Sequence, residues 1–225
     1  VKRKKKVTRY ELRITHRDYY YPAFLNLKGK KVIVIGGGKV AERKVLTLLR
    51  VGADVTIVSP EITKGLQRKK LEGRIEHIPR QYNKGDSKKA FIVIAATDSL
   101  EVNKKISQEA PCLMNVVDSS SLCNFIVPSV INRGPLTIAI STSGVSPALS
   151  KSIRKELQIL YGLGFAEYLR LLEKIRGRAM KEIPGKKKRA EFLKSIASGK
   201  MIKMLRKKGF KEVEKALKTG LDFDL

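Results

Sequence analysis

The sequence predicts an α/β fold: a doubly wound parallel sheet, a small strand-containing segment, and an all-α carboxyl-terminal domain. Three observations predict it. Short apolar, β-branched runs alternate with helical patterns of about ten residues. A glycine cluster joins the first such run to the first helix. From Phe165 onward the apolar spacing is helical throughout.

Lys31 to Gly36 (KVIVIG) is apolar and ends in glycine, the pattern of a buried strand. Residues 39–51 place Val40, Val45, Leu48 and Leu49 near helical spacing, and Gly52 supplies the stop. Strands are expected at Ala53 to Val58, near Ile75–Ile78, at Phe91 to Ala96 and at Leu113 to Val117, with helices over about 61–71 and 99–109. The fully apolar strands fit a parallel sheet covered on both faces. The rhythm then changes. Asn124 to Ile131 and Leu136 to Ser141 read as a hairpin, with Pro128 restricting the first strand to an edge or a bulge. SGVSP (143–147) opens a helix to about Leu160, and four more follow over 165–178, 187–198, 200–208 and 210–219. No internal repeat is evident.

The 225 residues carry a formal charge of +27 with 42% apolar residues, enough for a folded core and too basic to ignore. No apolar run reaches the roughly 18 residues of a membrane span, and VKRKKKVTRY is not followed by the apolar stretch of a secretory signal. Two cysteines, Cys112 and Cys123, give no disulfide framework and fit a reducing, cytoplasmic setting. His16 and His77 are too few for a His/Cys metal cage. The charge is uneven: +6 over residues 1–22, +9 over 23–150 and +12 over 151–225. The runs at 2–6 and 186–189 are expected to be solvated, and the excess charge calls for a polyanionic partner. Between Pro111 and Ser150 the only charges are Arg133 and Asp118. Such a stretch is expected to be buried in a core, a subunit interface or a cleft. Asp118, followed by Ser119, Ser120 and Ser121, is either a cap or turn residue or a functional carboxylate.

Gly36-Gly37-Gly38-Lys39-Val40-Ala41 fits G-x-G-x-x-A with the strand before it and helix after it that dinucleotide binding requires. Gly36 permits the tight turn, Gly38 lets backbone approach a pyrophosphate, and the amides of Lys39 and Val40 face the phosphates. The domain is therefore Rossmann-like. Its second strand ends Ser59-Pro60-Glu61. Glu61 there favours a free ribose and NAD, whereas Ser59 with Lys64 and Arg68 would tolerate the 2′-phosphate of NADP. Thr97 and Asp98, closing the fourth strand, are expected to line the same crevice.

The segments GGGKVAERK (36–44), AATDSLEVN (95–103) and NVVDSSSLCNFIVPSVINRGPLTIAISTSGVSPALS (115–150) together resemble the precorrin-2 dehydrogenases, the siroheme-synthase enzymes found alone or as the amino-terminal module of larger proteins. The resemblance runs from Tyr21 to about Leu160 and continues loosely into the helices. It implies four regions: a basic extension (1–20), an NAD-binding domain (21–118), a dimerisation and cleft segment (119–160) and a helical domain (161–225). It implies oxidation of precorrin-2 to sirohydrochlorin with NAD. In some members ferrous iron is then inserted to give siroheme. It also implies a homodimer without membrane or specific nucleic-acid partners. Dinucleotide contacts fall on Lys39, Val40, Pro60 and Glu61.

The family's functional aspartate follows the Asn-Val-Val run and corresponds to Asp118. Oxidation needs a hydride acceptor and a proton acceptor; NAD supplies the first and Asp118 the second. Burial among uncharged neighbours is expected to raise its pKa. The same carboxylate is a candidate transient Fe²⁺ contact, with no permanent metal site. Asn115, Ser143, Gly144 and Ser146 are candidates for binding substrate carboxylates, with simple N-capping by Ser143 or Ser146 as the alternative. A different class of reading, a basic nucleic-acid-binding protein with a dinucleotide-sensing domain, rests on the charge alone, and a third is an NAD-binding regulator without turnover.

Overall fold

The computed structural model describes residues 20–219, so the basic run at 2–6 and His16 lie outside the described residues. The chain divides into two compact units, one ending at Ile126 and the other beginning at Val127.

The first unit is a five-stranded parallel sheet. Strands β1 (Lys31–Ile35), β2 (Asp54–Val58), β3 (Glu76–Ile78), β4 (Ile92–Ala95) and β5 (Leu113–Val116) stand in the order β3-β2-β1-β4-β5. Helices α1 (Lys39–Arg50), α2 (Lys64–Leu71) and α3 (Leu100–Glu109) make the crossovers. Alternate strand residues build two cores. Val32, Val34, Val55 and Ile57 pack with Ala41, Val45 and Leu48 of α1 and Leu66 of α2. Ile33, Ile35, Val93 and Met114 pack with Ile106 of α3 on the other face. Each such side chain contributes about 1.5–3 kcal/mol when fully buried. Unbroken apolar strands are thus the signature of a sheet with two covered faces.

Two element boundaries differ from expectation, each for a local reason. The second helix starts at Lys64 rather than near 61. Thr63 caps it by accepting the Leu66 N–H, and the Thr63 N–H donates to the Gly37 carbonyl at 3.0 Å, which holds residues 60–62 outside the helix. The strand expected from Asn124 begins only at Ser129, after Pro128, because Asn124 and Phe125 are engaged along the edge of β5.

The second unit opens with the antiparallel hairpin β6 (Ser129–Arg133) and β7 (Leu136–Ile140), then α4 (Pro147–Leu160). Helices α5 (Gly164–Glu182), α6 (Lys186–Ile196), α7 (Gly199–Lys208) and α8 (Phe210–Thr219) follow. Phe165, Tyr168, Leu171 and Ile175 recur every three or four residues along α5 and meet Ile196, Leu205, Val213 and Leu217. The Tyr168 hydroxyl donates to the Ile196 carbonyl, and Arg206 lies 4.8 Å over the Tyr161 ring. Helix α5 extends to Glu182, since Ile183 precedes Pro184 and is pushed into extended backbone. Lys186, Lys187 and Lys188 are exposed, as expected of that run.

The uncharged stretch is less covered than its composition suggests. Within the hairpin Ile131 alone is buried, and Val127, Val145 and Leu149 are exposed. Apolar composition reports what a segment can bury against, and here that surface is not supplied by the chain's own hairpin and helix.

Candidate functional site

The sheet changes winding direction between β1 and β4, and ligands of such folds bind at the strand carboxyl ends there. The three glycines after β1 divide the work. Gly36 has φ +113°, and a Cβ on it would lie 2.2 Å from the Ala96 carbonyl oxygen. A Cβ on Gly37 would lie 1.9 Å from the Glu61 carbonyl oxygen. These two glycines let the turn close against the loops after β4 and β2. Gly38 is different: nothing stands within 4 Å of where its Cβ would be, and it opens α1 without a side-chain cap. Open space in front of uncapped helix amides is what a pyrophosphate requires.

A cleft of about 840 Å³ begins at this turn. Gly36, Gly38, Ser59 and Pro60 line it, as do Glu61, Thr97 and Asp98. Lys39 and Val40 form the first turn of α1 beside Gly38. Ser59 is buried, and its carbonyl accepts from His77 Nε2 at 2.8 Å. Glu61 is exposed at the cleft lip. A smaller recess of about 340 Å³ adjoins the same lip and is lined by Pro60, Glu61, Ile62, Gln67, Lys70 and His77.

Residues without an assigned role in the sequence reading hold this geometry. The Thr63 hydroxyl donates to Glu42 Oε2 at 2.6 Å, tying the loop after β2 to α1. Buried Asn103 accepts from the Thr97 hydroxyl at 2.8 Å and donates to the Thr97 carbonyl at 3.1 Å, fixing the loop after β4. Glu42 and Asn103 lie in the segments quoted above and Thr63 outside them, but a side chain reaching another loop leaves no periodic trace in a sequence.

Asp118 follows β5 at the carboxyl edge of the sheet, in a left-handed turn with φ +59°. It is exposed, so the burial expected from its uncharged neighbours is not found within the chain. Burial and then the adjacent Arg43 push the Lys44 ammonium below the usual lysine range, while Cys123 and Asp118 pull it back up. Lys44 therefore acts electrostatically on the turn that carries Asp118. Asn115 is buried, and its amide donates to the Phe125 carbonyl at 3.2 Å.

In the second unit, the Ser146 hydroxyl accepts the Leu149 N–H and so caps α4. The Ser146 N–H donates to the Thr142 hydroxyl oxygen at 3.1 Å. Ser143 and Gly144 are exposed, with φ of +51° and +83°. Of the three candidates there, Ser146 is engaged as the cap, and the Ser143 N–H donates to the Ser141 hydroxyl oxygen at 2.9 Å.

The site has room and donors for a dinucleotide: two glycines close the turn, the third leaves its space open, and the helix amides behind it are uncapped. Residues 23–129 match an NAD(P)-binding family model, and residues 133–158 match the model described as sirohaem biosynthesis protein central. The siroheme synthase of Thioalkalivibrio sulfidiphilus is 36% identical over 210 residues, covering 90% of this chain and 43% of that protein. The siroheme synthase of Methylobacillus flagellatus is 42% identical over 142 residues, 62% of this chain and 30% of that protein. The chain thus spans less than half the length of these relatives. Among solved structures, SirC, a precorrin-2 dehydrogenase, aligns with a TM-score of 0.73 at 28% identity, over 87% of this chain and all of that one. The nucleic-acid reading finds no support in these likenesses. A glycine cleft opens at the sheet's switch point, and the central region of sirohaem biosynthesis proteins follows it in the chain: this chain carries an NAD(P)-binding region and that central region, and it resembles the siroheme synthases over both.

Proposed function

We propose that the protein oxidises precorrin-2 to sirohydrochlorin with NAD, and that Asp118 is its proton acceptor. One observation carries this reading. The dinucleotide cleft and the Asp118 turn lie at the same carboxyl edge of one sheet, in a chain that aligns with all of a precorrin-2 dehydrogenase. The chemistry NAD⁺ would bring is acceptance of a hydride. Gly38 and the α1 amides would hold the pyrophosphate, and Glu61 the adenosine ribose. Thr97, fixed by Asn103, and Asp98 line the wall of the cleft. The proton lost with the hydride goes to an Asp118 carboxylate oxygen. Its exposure leaves the carboxylate open to substrate, and Lys44 lies within electrostatic reach of it.

Substrate carboxylates are assigned to the Ser143 hydroxyl and the Gly144 amide, the Ser143 N–H being held by the Ser141 hydroxyl oxygen at 2.9 Å. Asn115 supports the Asp118 turn from within. The exposed apolar side chains of the hairpin and α4 are assigned to a homodimer interface, where they would be covered by a second copy. Ferrous iron enters this reading only as a second substrate, for which Asp118 offers hard oxygen contacts and no trap. In the Thioalkalivibrio and Methylobacillus proteins the name siroheme synthase covers more chain than is present here.

The test is spectroscopic. Purified protein with precorrin-2 and NAD⁺ should give the sirohydrochlorin spectrum with equimolar NADH, and Asp118→Asn should lower kcat by about 100-fold or more while leaving NAD⁺ affinity intact. Dinucleotide binding without turnover by the wild type would instead favour the regulator reading. Adding Fe²⁺ to sirohydrochlorin with and without protein measures the second reaction.

A further inference from the structure

Strand β5 is the edge of the sheet, and its outward backbone groups have no strand to pair with. Side chains from the SLCNF segment (121–125) take that place. Asn124 Oδ1 accepts the Met114 N–H at 2.6 Å, and the Asn124 N–H returns to the Met114 carbonyl at 3.1 Å. Two residues along, Cys123 Sγ accepts the Val116 N–H at 3.1 Å. The thiol proton has two carbonyls in reach, Val116 at 3.3 Å and Ser119 at 3.2 Å. Asn115 Nδ2 lies 3.6 Å from the same sulfur. Cys123 thus bridges the last residue of β5 and the residue after Asp118, and the left-handed Asp118 is enclosed between its two points of attachment.

A non-glycine residue at positive φ is held there by its surroundings, at a cost that a free turn would relax. The ties on this turn come from Cys123 and Asn124 and not from the Asp118 carboxylate. We propose that Cys123 is the positioning residue for Asp118: its thiol closes the turn from which the carboxylate reaches substrate. The inference rests on the proposed role of Asp118. A thiol suits the task because its long C–S bonds and diffuse lone pairs allow one atom to meet several backbone groups that a hydroxyl would reach less evenly. The half-buried Lys44 adds a positive charge within electrostatic reach of the same turn.

The experiment compares Cys123→Ala and Cys123→Ser with the wild type by turnover, NAD⁺ calorimetry and amide hydrogen exchange. Cys123→Ala is expected to lower kcat by about 10- to 100-fold, the scale of a small misplacement of a reacting group. NAD⁺ affinity and the KM for precorrin-2 should stay within about twofold, because the cleft glycines are untouched. The Val116 amide should exchange faster, while the Met114 amide, held by Asn124, should not. Cys123→Ser, which keeps a donor and an acceptor, should recover most of the lost kcat. Unchanged kcat in Cys123→Ala overturns the proposal, as does an equal loss of turnover and NAD⁺ binding or failure of serine to recover any activity. A wild type that binds NAD⁺ but does not turn over precorrin-2 sinks the functional reading instead. In that event unchanged Val116 exchange in the alanine variant would still refute the tie itself.

Discussion

Strands β1, β2, β4 and β5 bury nearly every residue they contain, whereas the hairpin β6–β7 buries Ile131 alone. Both regions hold apolar runs, yet α1, α2 and α3 bury the strands of the sheet unit, whereas α4 and α5 pack beside the hairpin and leave most of its side chains half-buried or exposed. Ile159 on α4 is 83% exposed and Val145 before it 87%. Apolar surface of this kind is expected where a second surface docks. The difference separates residues that serve the chain's own fold from those available to a partner. Substitutions in the two regions should therefore fail in different ways.

The largest effect is expected in the sheet unit, at Gly37. A methyl group there would lie 1.9 Å from the Glu61 carbonyl and 2.9 Å from Ser59 Oγ, and backbone on one side and a buried side chain on the other leave it no room. Gly37→Ala should cost about 3 kcal/mol or more of stability, visible in denaturant unfolding, and abolish NAD⁺ binding with it. Gly38→Ala is the control that sharpens the comparison. Its methyl enters open space, so the fold should keep its Tm within about 2 °C while NAD⁺ affinity falls by roughly tenfold or more. Equal losses of Tm in both variants would mean that the third glycine serves the fold and not the ligand.

An intermediate effect is expected at Ile159 in the second unit. Ile159→Lys removes no buried contact within the chain, so the monomer's stability should be unchanged. If the exposed apolar residues form the homodimer interface proposed above, two-fold symmetry places the lysine there twice. At about 1.5–3 kcal/mol per lost side chain, the dimer Kd should rise by roughly 100-fold or more. Sedimentation of wild type and variant over a concentration series measures this. Identical masses for the two would assign the exposed side chains to something other than self-association.

Much of the sheet unit was legible because its cause is local and periodic. KVIVIG, ADVTIV and FIVIAA name their strands, and the glycine turn names the cleft. What escaped was pairing between a side chain and a distant backbone. Cys123 and Asn124 complete the edge of β5 without forming a strand, so β-like composition at 124–131 misled the boundary. Glu42 fixes one cleft loop through a single hydrogen bond across 21 residues and Asn103 the other through a pair across six, contacts that composition does not encode. Exposure was the other gap. The absence of charge around Asp118 predicts burial in a core, an interface or a cleft, and the chain alone supplies no core there: a lack of charge states only that burial would be inexpensive, and the covering surface must come from somewhere.

The smallest effect concerns cofactor choice at the lip of the cleft. Glu61 is shared by the main cleft and the recess that also contains Lys70 and His77. A carboxylate there can accept from a ribose 2′-hydroxyl and repels a 2′-phosphate, so NAD⁺ should bind better than NADP⁺. Glu61→Gln keeps the length of the side chain and removes its charge. The amide oxygen can still accept, which limits the loss of NAD⁺ affinity to about fivefold, near 1 kcal/mol. NADP⁺ gains more than NAD⁺ loses, because the repulsion is gone and the Lys70 ammonium remains at the recess to meet the phosphate. The NAD⁺/NADP⁺ affinity ratio should therefore fall by roughly tenfold or more in Glu61→Gln, and Lys70→Gln added to it should return part of that change. An unchanged ratio would place the discrimination at Ser59 or elsewhere in the loop after β2, and the lip would then position the dinucleotide without selecting it.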